Sequence, residues 1–265
     1  MPSPGDLDVA LDLADRADAI TGARFRSGDL RVSRKPDRTP VTDADFSVEE
    51  AIRTALRQLR PEDGCFGEEH GGSPEGPRVW VVDPIDGTKN FLRGVPVWAT
   101  LIALVENGRP TVGVVSAPAL RRRWWAAQGQ GAWVRRDNEP AAAIGVSAVS
   151  RLEDAYLSTT DLSTWTRFHS RQAYLRLADA CWESRAFGDF LQHCMVAEGQ
   201  LDIAAEPIVS PWDVAAVQVV VEEAGGLCTD LRGEDILTGR GALSANARLH
   251  PSAAGLLAGE PVQQV

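Results

Sequence analysis

The chain has 265 residues, 44% of them hydrophobic, with 27 Lys+Arg against 37 Asp+Glu and a formal charge of −10 at pH 7. That length and composition suit a single globular domain over residues 1–265 with a substantial core, and they exclude neither enzyme nor binding module. The acidic balance speaks against a nucleic-acid binder, which needs a basic face to replace counterions; a small anionic substrate stays open, because metals can invert the local sign of a site.

The opening segment MPSPGDLDVALDLADRADAI has no basic stretch followed by an apolar one, so no secretory signal is expected. No apolar run approaches the roughly 20 residues of a membrane span. Cys65, Cys181, Cys194 and Cys228 show neither CxxC spacing nor histidine partners at zinc-site spacing. They read as reduced thiols of a soluble, cytoplasmic protein with no membrane partner.

Residues 6 to 26 carry apolar positions at mostly helical spacing, and RKPDRTPVT breaks this first helix with two prolines. A second helix is predicted from Asp43 to Leu59, with Phe46, Ile52, Ala55, Leu56 and Leu59 facing inward. RVWVV then reads as a buried strand. WATLIALVENGRPTVGVVSAP is a β-hairpin turning at Glu-Asn-Gly, and RRRWWAAQGQGAWV adds a strand, a turn and a strand. Strand alternation puts Trp124 and Trp125 on opposite faces, which favours core plus surface over base stacking. DNEPAAAIGVSAVSRLEDA is the predicted connector, dividing an N-terminal half of about 1–150 from a C-terminal half of about 151–265. Beyond it come a strand near 156–158, a helix near 165–179, a strand near 181–186, a helix at 189–198 and the strand LDIAAE. A helix at 211–224 and the strands GLCTD and GALSAN complete an alternation that argues for an α/β layered lobe.

The chemistry concentrates in DPIDGT, residues 83 to 88. Pro84 fixes its own φ and pushes Asp83 toward an extended conformation, so the strand is expected to end there. Asp83 and Asp86 would flank a tight turn with the Ile85 carbonyl between them. Three oxygen ligands in four residues suit a hard cation such as Mg²⁺. Gly87 permits close backbone approach, and a helix starting near Thr88 would offer its N–H groups to a phosphate. The bland alternative is a capped turn.

Other acids sit at comparable places. Glu68 and Glu69 end an irregular glycine-rich segment, Asp43 and Asp45 stand at a helix start, and Asp213 follows Trp212 in the first turn of another. Each alone is explained by a solvated surface or an N-cap. Gathered together they would repel one another without cations between them, and two or three Mg²⁺ ions would both relieve the repulsion and supply phosphoryl-transfer chemistry.

In order along the chain, GEE, WVVDPIDGTKNF, PWDVAA and EEAGG resemble the inositol monophosphatase family of Mg²⁺-dependent, lithium-sensitive phosphomonoesterases. The resemblance runs from PVTDAD to SAN. The finer detail, in GTKNFLRGVPVWATLIAL, VSAPALRRRWWAA and AFGDFLQHCMVAEGQLDIAAEP, is similar to the actinobacterial histidinol-phosphatases. It implies a layered αβαβα sandwich of the inositol monophosphatase and fructose-1,6-bisphosphatase type, an antiparallel N-terminal half packed on a mixed C-terminal half. It implies metal ligation by Glu68, Asp83, the Ile85 carbonyl, Asp86 and Asp213, with Asp45 holding a weaker ion or its waters. Thr88, with Glu68, would orient and deprotonate the attacking water, and the Gly87 and Thr88 amides would hold the phosphate. Gly188, Asp189 and Glu206 would line the organic end of the substrate, beside Asp86 and Asp213.

Two residues depart from the inositol-phosphatase pattern. Asp189 stands where a small or hydroxyl residue is common, and it would favour the ammonium and imidazole of histidinol phosphate unless it only caps the helix at 189–198. Lys89 replaces a threonine, either to screen phosphate charge or as a solvated lysine. The resemblance thus implies hydrolysis of L-histidinol phosphate by a homodimer. The alternatives are an inositol-1-monophosphatase or broad monophosphatase, and a non-catalytic metal- and phosphate-binding regulator.

Overall fold

The computed structural model describes residues 5–34 and 40–258, so the Pro36 part of the predicted break lies outside the described residues. The chain opens with α1 (Asp6–Arg24), the short antiparallel pair β1 (Val32–Arg34) and β2 (Pro40–Thr42), and α2 (Asp43–Leu59). Next come β3 (Gly64–Gly67), β4 (Arg78–Asp86), α3 (Thr88–Arg93), β5 (Ala99–Glu106) and β6 (Arg109–Ala117). The strands β7 (Arg122–Ala127), β8 (Ala132–Arg136) and β9 (Ala142–Ile144) complete a seven-stranded sheet in sequence order, antiparallel apart from the β3–β4 pair.

The remaining elements are β10 (Tyr156–Ser158), α4 (Leu162–Phe168), α5 (Arg171–Ala180), β11 (Glu183–Arg185), α6 (Asp189–Ala197) and β12 (Ile203–Glu206). After them come α7 (Pro211–Glu223), β13 (Gly226–Thr229), β14 (Ala242–Asn246) and α8 (His250–Leu257). Their strands form a mixed five-stranded sheet in the order β11-β10-β12-β14-β13.

Period-2 patterning makes the layers. In β4 and β5, Val79, Val81, Leu101 and Ala103 face one way and join Val134 in a core shared with Phe190, Val217 and Val220 of α6 and α7. Trp80, Val82, Ile102 and Leu104 face the other way, onto Leu13, Ala17, Val48 and Ile52 of α1 and α2. A third core joins Leu157, Ile203 and Leu243 of the smaller sheet to Trp165, Leu177 and Leu257 of α4, α5 and α8. The order is therefore helices, sheet, helices, sheet, helices, as expected. The two tryptophans of RRRWW divide as alternation requires: Trp124 is in the α6–α7 core, and Trp125 packs on the α1–α2 side.

Several sequence expectations need correction. β4 does not stop at Asp83 but runs to Asp86, with a bulge between the two aspartates that lets pairing with β5 resume at Asp86–Ala99. A bulge absorbs the missing proline N–H without ending the strand. The segment before Glu68 is not irregular, since Gly64–Gly67 pairs in parallel with Val79–Val82. The helix near 165–179 is two helices, because Ser170 caps Ala173 at 3.2 Å and restarts the turn. Phe46 and Leu59 are each 42% exposed rather than inward; the Phe46 ring instead lies edge-on to His70, 5.8 Å away. Strands β1, β2 and β9 and helix α8 were not anticipated. Among the described residues no helix is long and apolar enough to cross a membrane.

Candidate active site

Helices α3, α6 and α7 begin at one cleft of about 660 Å³, lined by Glu68, Gly87, Thr88, Lys89, Gly188, Asp189 and Asp213 among others, and α2 begins behind it, where buried Asp45 meets Thr88. Their N-termini favour anions there, through free N–H groups and the positive end of the backbone dipole. Asp45 is the third residue of α2, Thr88 the first of α3, Asp189 the first of α6 and Asp213 the third of α7.

Cap and cleft prove to be compatible roles, because a carboxylate has two oxygens. Asp45 Oδ2 accepts the Thr42 N–H at 2.9 Å and its hydroxyl at 2.5 Å in a capping box, while Oδ1 lies 3.5 Å from Thr88 Oγ1. Asp213 Oδ2 accepts the Ser210 N–H at 2.7 Å. Asp86 Oδ2 accepts the Phe190 N–H at 2.7 Å, which ties β4 to the start of α6. Asp83 Oδ1 accepts the Ile85 N–H at 2.9 Å across the bulge. Asp83, Asp86 and Asp213 each present an oxygen within 4.8 Å of the others. Trp212 helps to bring α7 there by packing on Phe66 of β3, ring centroids 5.3 Å apart.

The electrostatics are those of crowded acids. Burial, then the charges of Glu68, Asp86, Asp213 and Asp45, holds the Asp83 carboxyl well above its ordinary range. Burial first, with Asp189 and Asp213 next, does the same to Asp86. Asp213 is raised mainly by burial, and Asp45 is pushed up to about 6 by burial despite its bonds from Thr42. A hard divalent cation fits this set: all the donors are oxygens, three lie within one coordination sphere, and their mutual repulsion needs a counter-charge.

Thr88 Oγ1 donates to the Ile85 carbonyl at 3.0 Å, on the Asp45 side of the cleft. Gly87 holds φ at 82°, and a Cβ there would meet the Val97 carbonyl at 2.9 Å, so only glycine lets the chain turn from β4 into α3.

Asp189 is not a side-chain cap. Gly188 occupies the N-cap position, no side-chain cap bond is made, and Asp189 is held at φ 49° with its N–H on Thr160 Oγ1 at 2.8 Å. Its Oδ2 accepts from Asn90 at 3.1 Å. Burial raises its pKa, and Lys89 across the cleft opposes that rise. Glu206 lines an adjoining pocket of about 170 Å³ with Asp86, Asp189, His193 and Asp213. Its Oε1 accepts the Thr160 N–H at 2.8 Å as well as the Thr160 hydroxyl and the Gln192 amide, and burial pushes it up to about 7.

Thr160, Gln192 and Glu49 escaped sequence reasoning. Each acts through partners distant in sequence, and none carries a local pattern. Glu69 is intermediate in exposure and does not line the cleft; Asp43 pairs with Arg24 at 2.8 Å.

A sequence profile described as "Inositol monophosphatase family" matches residues 6–261. The chain is 55% identical to a histidinol-phosphatase of Mycobacterium tuberculosis, over 94% of this chain and 96% of the relative. It is 49% identical to a histidinol-phosphatase of Streptomyces coelicolor, over 95% and 96%. Among solved structures, an inositol monophosphatase from Zymomonas mobilis superposes with a TM-score of 0.84 at 31% identity, covering 97% of this chain and 99% of that one. The chain belongs to the inositol monophosphatase family and is a phosphatase of it.

Proposed function

We propose that the protein hydrolyses L-histidinol phosphate to L-histidinol and phosphate with Mg²⁺ as cofactor. The observation that carries the substrate is Asp189, a carboxylate on the cleft wall and not in a helix cap. An ammonium or imidazolium is matched by such a group, and a neutral polyol is not. Glu206 adds a second acid in the adjoining pocket, and the two histidinol-phosphatase relatives support the same substrate.

Two or three Mg²⁺ ions would be held by Asp83, Asp86, Asp213, Glu68 and the Ile85 carbonyl, with Asp45 at the weakest position. When bound, they would acidify a water and neutralise charge on the phosphoryl and leaving oxygens. Thr88, its hydroxyl fixed between Ile85 and Asp45, orients the attacking water. Thr88 Oγ1 receives the water's proton as the Thr88 hydroxyl passes its own to Asp45 Oδ1, 3.5 Å away, while Glu68 accepts a hydrogen bond from the same water. The Gly87 and Thr88 amides hold the phosphate at the start of α3. No cysteine or histidine is among the described residues lining the cleft, which supports direct attack by water. Lithium sensitivity, a homodimer and a cytoplasmic location belong to the same proposal.

The test is kcat/KM for L-histidinol phosphate, myo-inositol 1-phosphate and p-nitrophenyl phosphate, with and without Mg²⁺. A preference for histidinol phosphate on the order of 10²-fold, dependent on Mg²⁺, is expected. Equal values would refute the substrate. Release of phosphate from none of them would favour the non-catalytic regulator.

A further inference from the structure

We infer that Glu49 and Arg53 are positioning residues, an ion pair on α2 that sets the backbone carrying Glu68. The inference rests on the proposed role of Glu68 as a metal ligand. Asp45, Glu49 and Arg53 recur at intervals of four on α2 and so share one helix face. Asp45 reaches Thr88 on the cleft wall; the next two residues on that face reach the turn after β3.

Gly67 and Gly71 exchange both backbone hydrogen bonds, at 3.0 and 3.1 Å, and close a loop that contains Glu68. The Glu68 N–H donates to Val82 O at 3.2 Å, one residue before Asp83, which fixes one side of the loop to β4. Glu49 fixes the other side. Its side chain is fully buried, Oε2 accepts the Glu69 N–H at 2.7 Å, and Oε1 accepts the His70 N–H at 3.1 Å and Arg53 Nε at 2.8 Å. Arg53 grips the carbonyl side of the same segment, donating to Cys65 O at 3.3 Å and to Gly71 O. The fit leaves no slack, because a Cβ on Gly67 would run into the Glu49 carboxylate.

Two further facts argue that this pair serves Glu68 more than the fold. None of residues 68–77 is buried, so the loop has little apolar packing to set its shape. A buried carboxylate is also a poor way to gain stability, since desolvation offsets most of its attraction to Arg53. What charge-assisted bonds to two successive N–H groups do provide is a fixed backbone, which is what a ligand outside the main acidic cluster requires.

The test measures Mn²⁺ affinity, from the EPR signal of free Mn²⁺, together with kcat and KM under Mg²⁺ and the Tm of metal-free protein. Glu68→Gln serves as the reference. If it leaves Mn²⁺ affinity and kcat intact, the role of Glu68 fails and the inference falls with it. If it lowers both, Glu49→Gln is expected to lower Mn²⁺ affinity and kcat by about 10- to 100-fold with KM nearly constant. In a Glu68→Gln background the same change should then add less than about 2-fold, because its effect passes through Glu68. A lower Tm with Mn²⁺ affinity and kcat at the level of the parent protein would overturn the inference, as would losses that multiply in the double variant. Should Glu49→Gln fail to fold, Arg53→Lys keeps the charge but loses the guanidinium fork. A non-additive loss in Arg53→Lys supports the inference; unchanged Mn²⁺ affinity and kcat overturn it.

Discussion

Replacing Asp83 by asparagine should move stability and activity in opposite directions. Asparagine keeps the Oδ1 that accepts the Ile85 N–H at 2.9 Å and keeps the shape of a side chain only 2% exposed, so the change is almost purely one of charge. Three of the carboxylates present oxygens within 4.8 Å of one another. Two full charges at that distance repel by about 3–4 kcal/mol at an effective dielectric constant near 20. Protonation relieves part of this, since the Asp83 pKa is already raised by burial and its neighbours. The metal-free variant should therefore be more stable than the parent by about 1–3 kcal/mol, a Tm higher by roughly 5 °C. Saturating Mg²⁺ should reverse the order, because two ions, each at 100 times its Kd, add about 5 kcal/mol to the parent and little to the variant. Turnover should fall by on the order of 10³-fold, about 4 kcal/mol of transition-state stabilisation. Differential scanning fluorimetry in EDTA and in Mg²⁺, with phosphate release on the same samples, checks all three. Near-normal turnover, or a lower Tm in EDTA, would refute the reasoning.

The pH dependence of the metal-free protein follows from the same crowding. Asp45 near 6, Glu206 near 7 and the raised Asp213 bind more protons folded than unfolded, so their contribution grows as pH falls from about 8 to 6. Buried His193, depressed to about 4, works the other way below its unfolded value of about 6.5. His169 and His250, also lowered by burial, act as His193 does, while Asp83, Asp86 and Asp189 add to the raised carboxyls. Tm in EDTA should therefore rise from pH 8 to 6, and a falling Tm over that interval would count against the raised carboxyls. For specificity, Asp189→Asn is the cleaner change, since asparagine tolerates φ 49° where alanine would add strain. It should cut kcat/KM for histidinol phosphate by roughly 30- to 100-fold and for inositol phosphate by less than about 3-fold, and equal losses would remove Asp189 from substrate recognition.

Chemistry confined to a few residues was legible in the sequence. DPIDGT specifies two acids, a carbonyl, a glycine that turns the chain and a threonine at a helix start, and its local geometry holds in the structure apart from the bulge. The acids at the starts of α2 and α7 were also visible, although only as N-caps; the structure gives the cap to Thr42 and Ser210 and makes Asp45 and Asp213 the third residues of their helices. Most of the elements and an α/β lobe followed from apolar periodicity, because each strand and helix must bury one face whatever its partner; the five layers came only with the family resemblance.

What tertiary structure decided was which acids meet, and with which oxygen. Asp213 joins Asp83 because α7 packs against the large sheet, with Trp212 on Phe66. Asp86 is oriented by Phe190, 104 residues away. Glu49 carries no local signal in the sequence; its partners are backbone N–H groups about one loop further on, which no side-chain pattern records. Asp189 sits at positive φ because Gly188 takes the cap and Thr160 takes its N–H. Periodicity specifies which face of an element is buried. Long-range packing specifies what the polar atoms on that face find there.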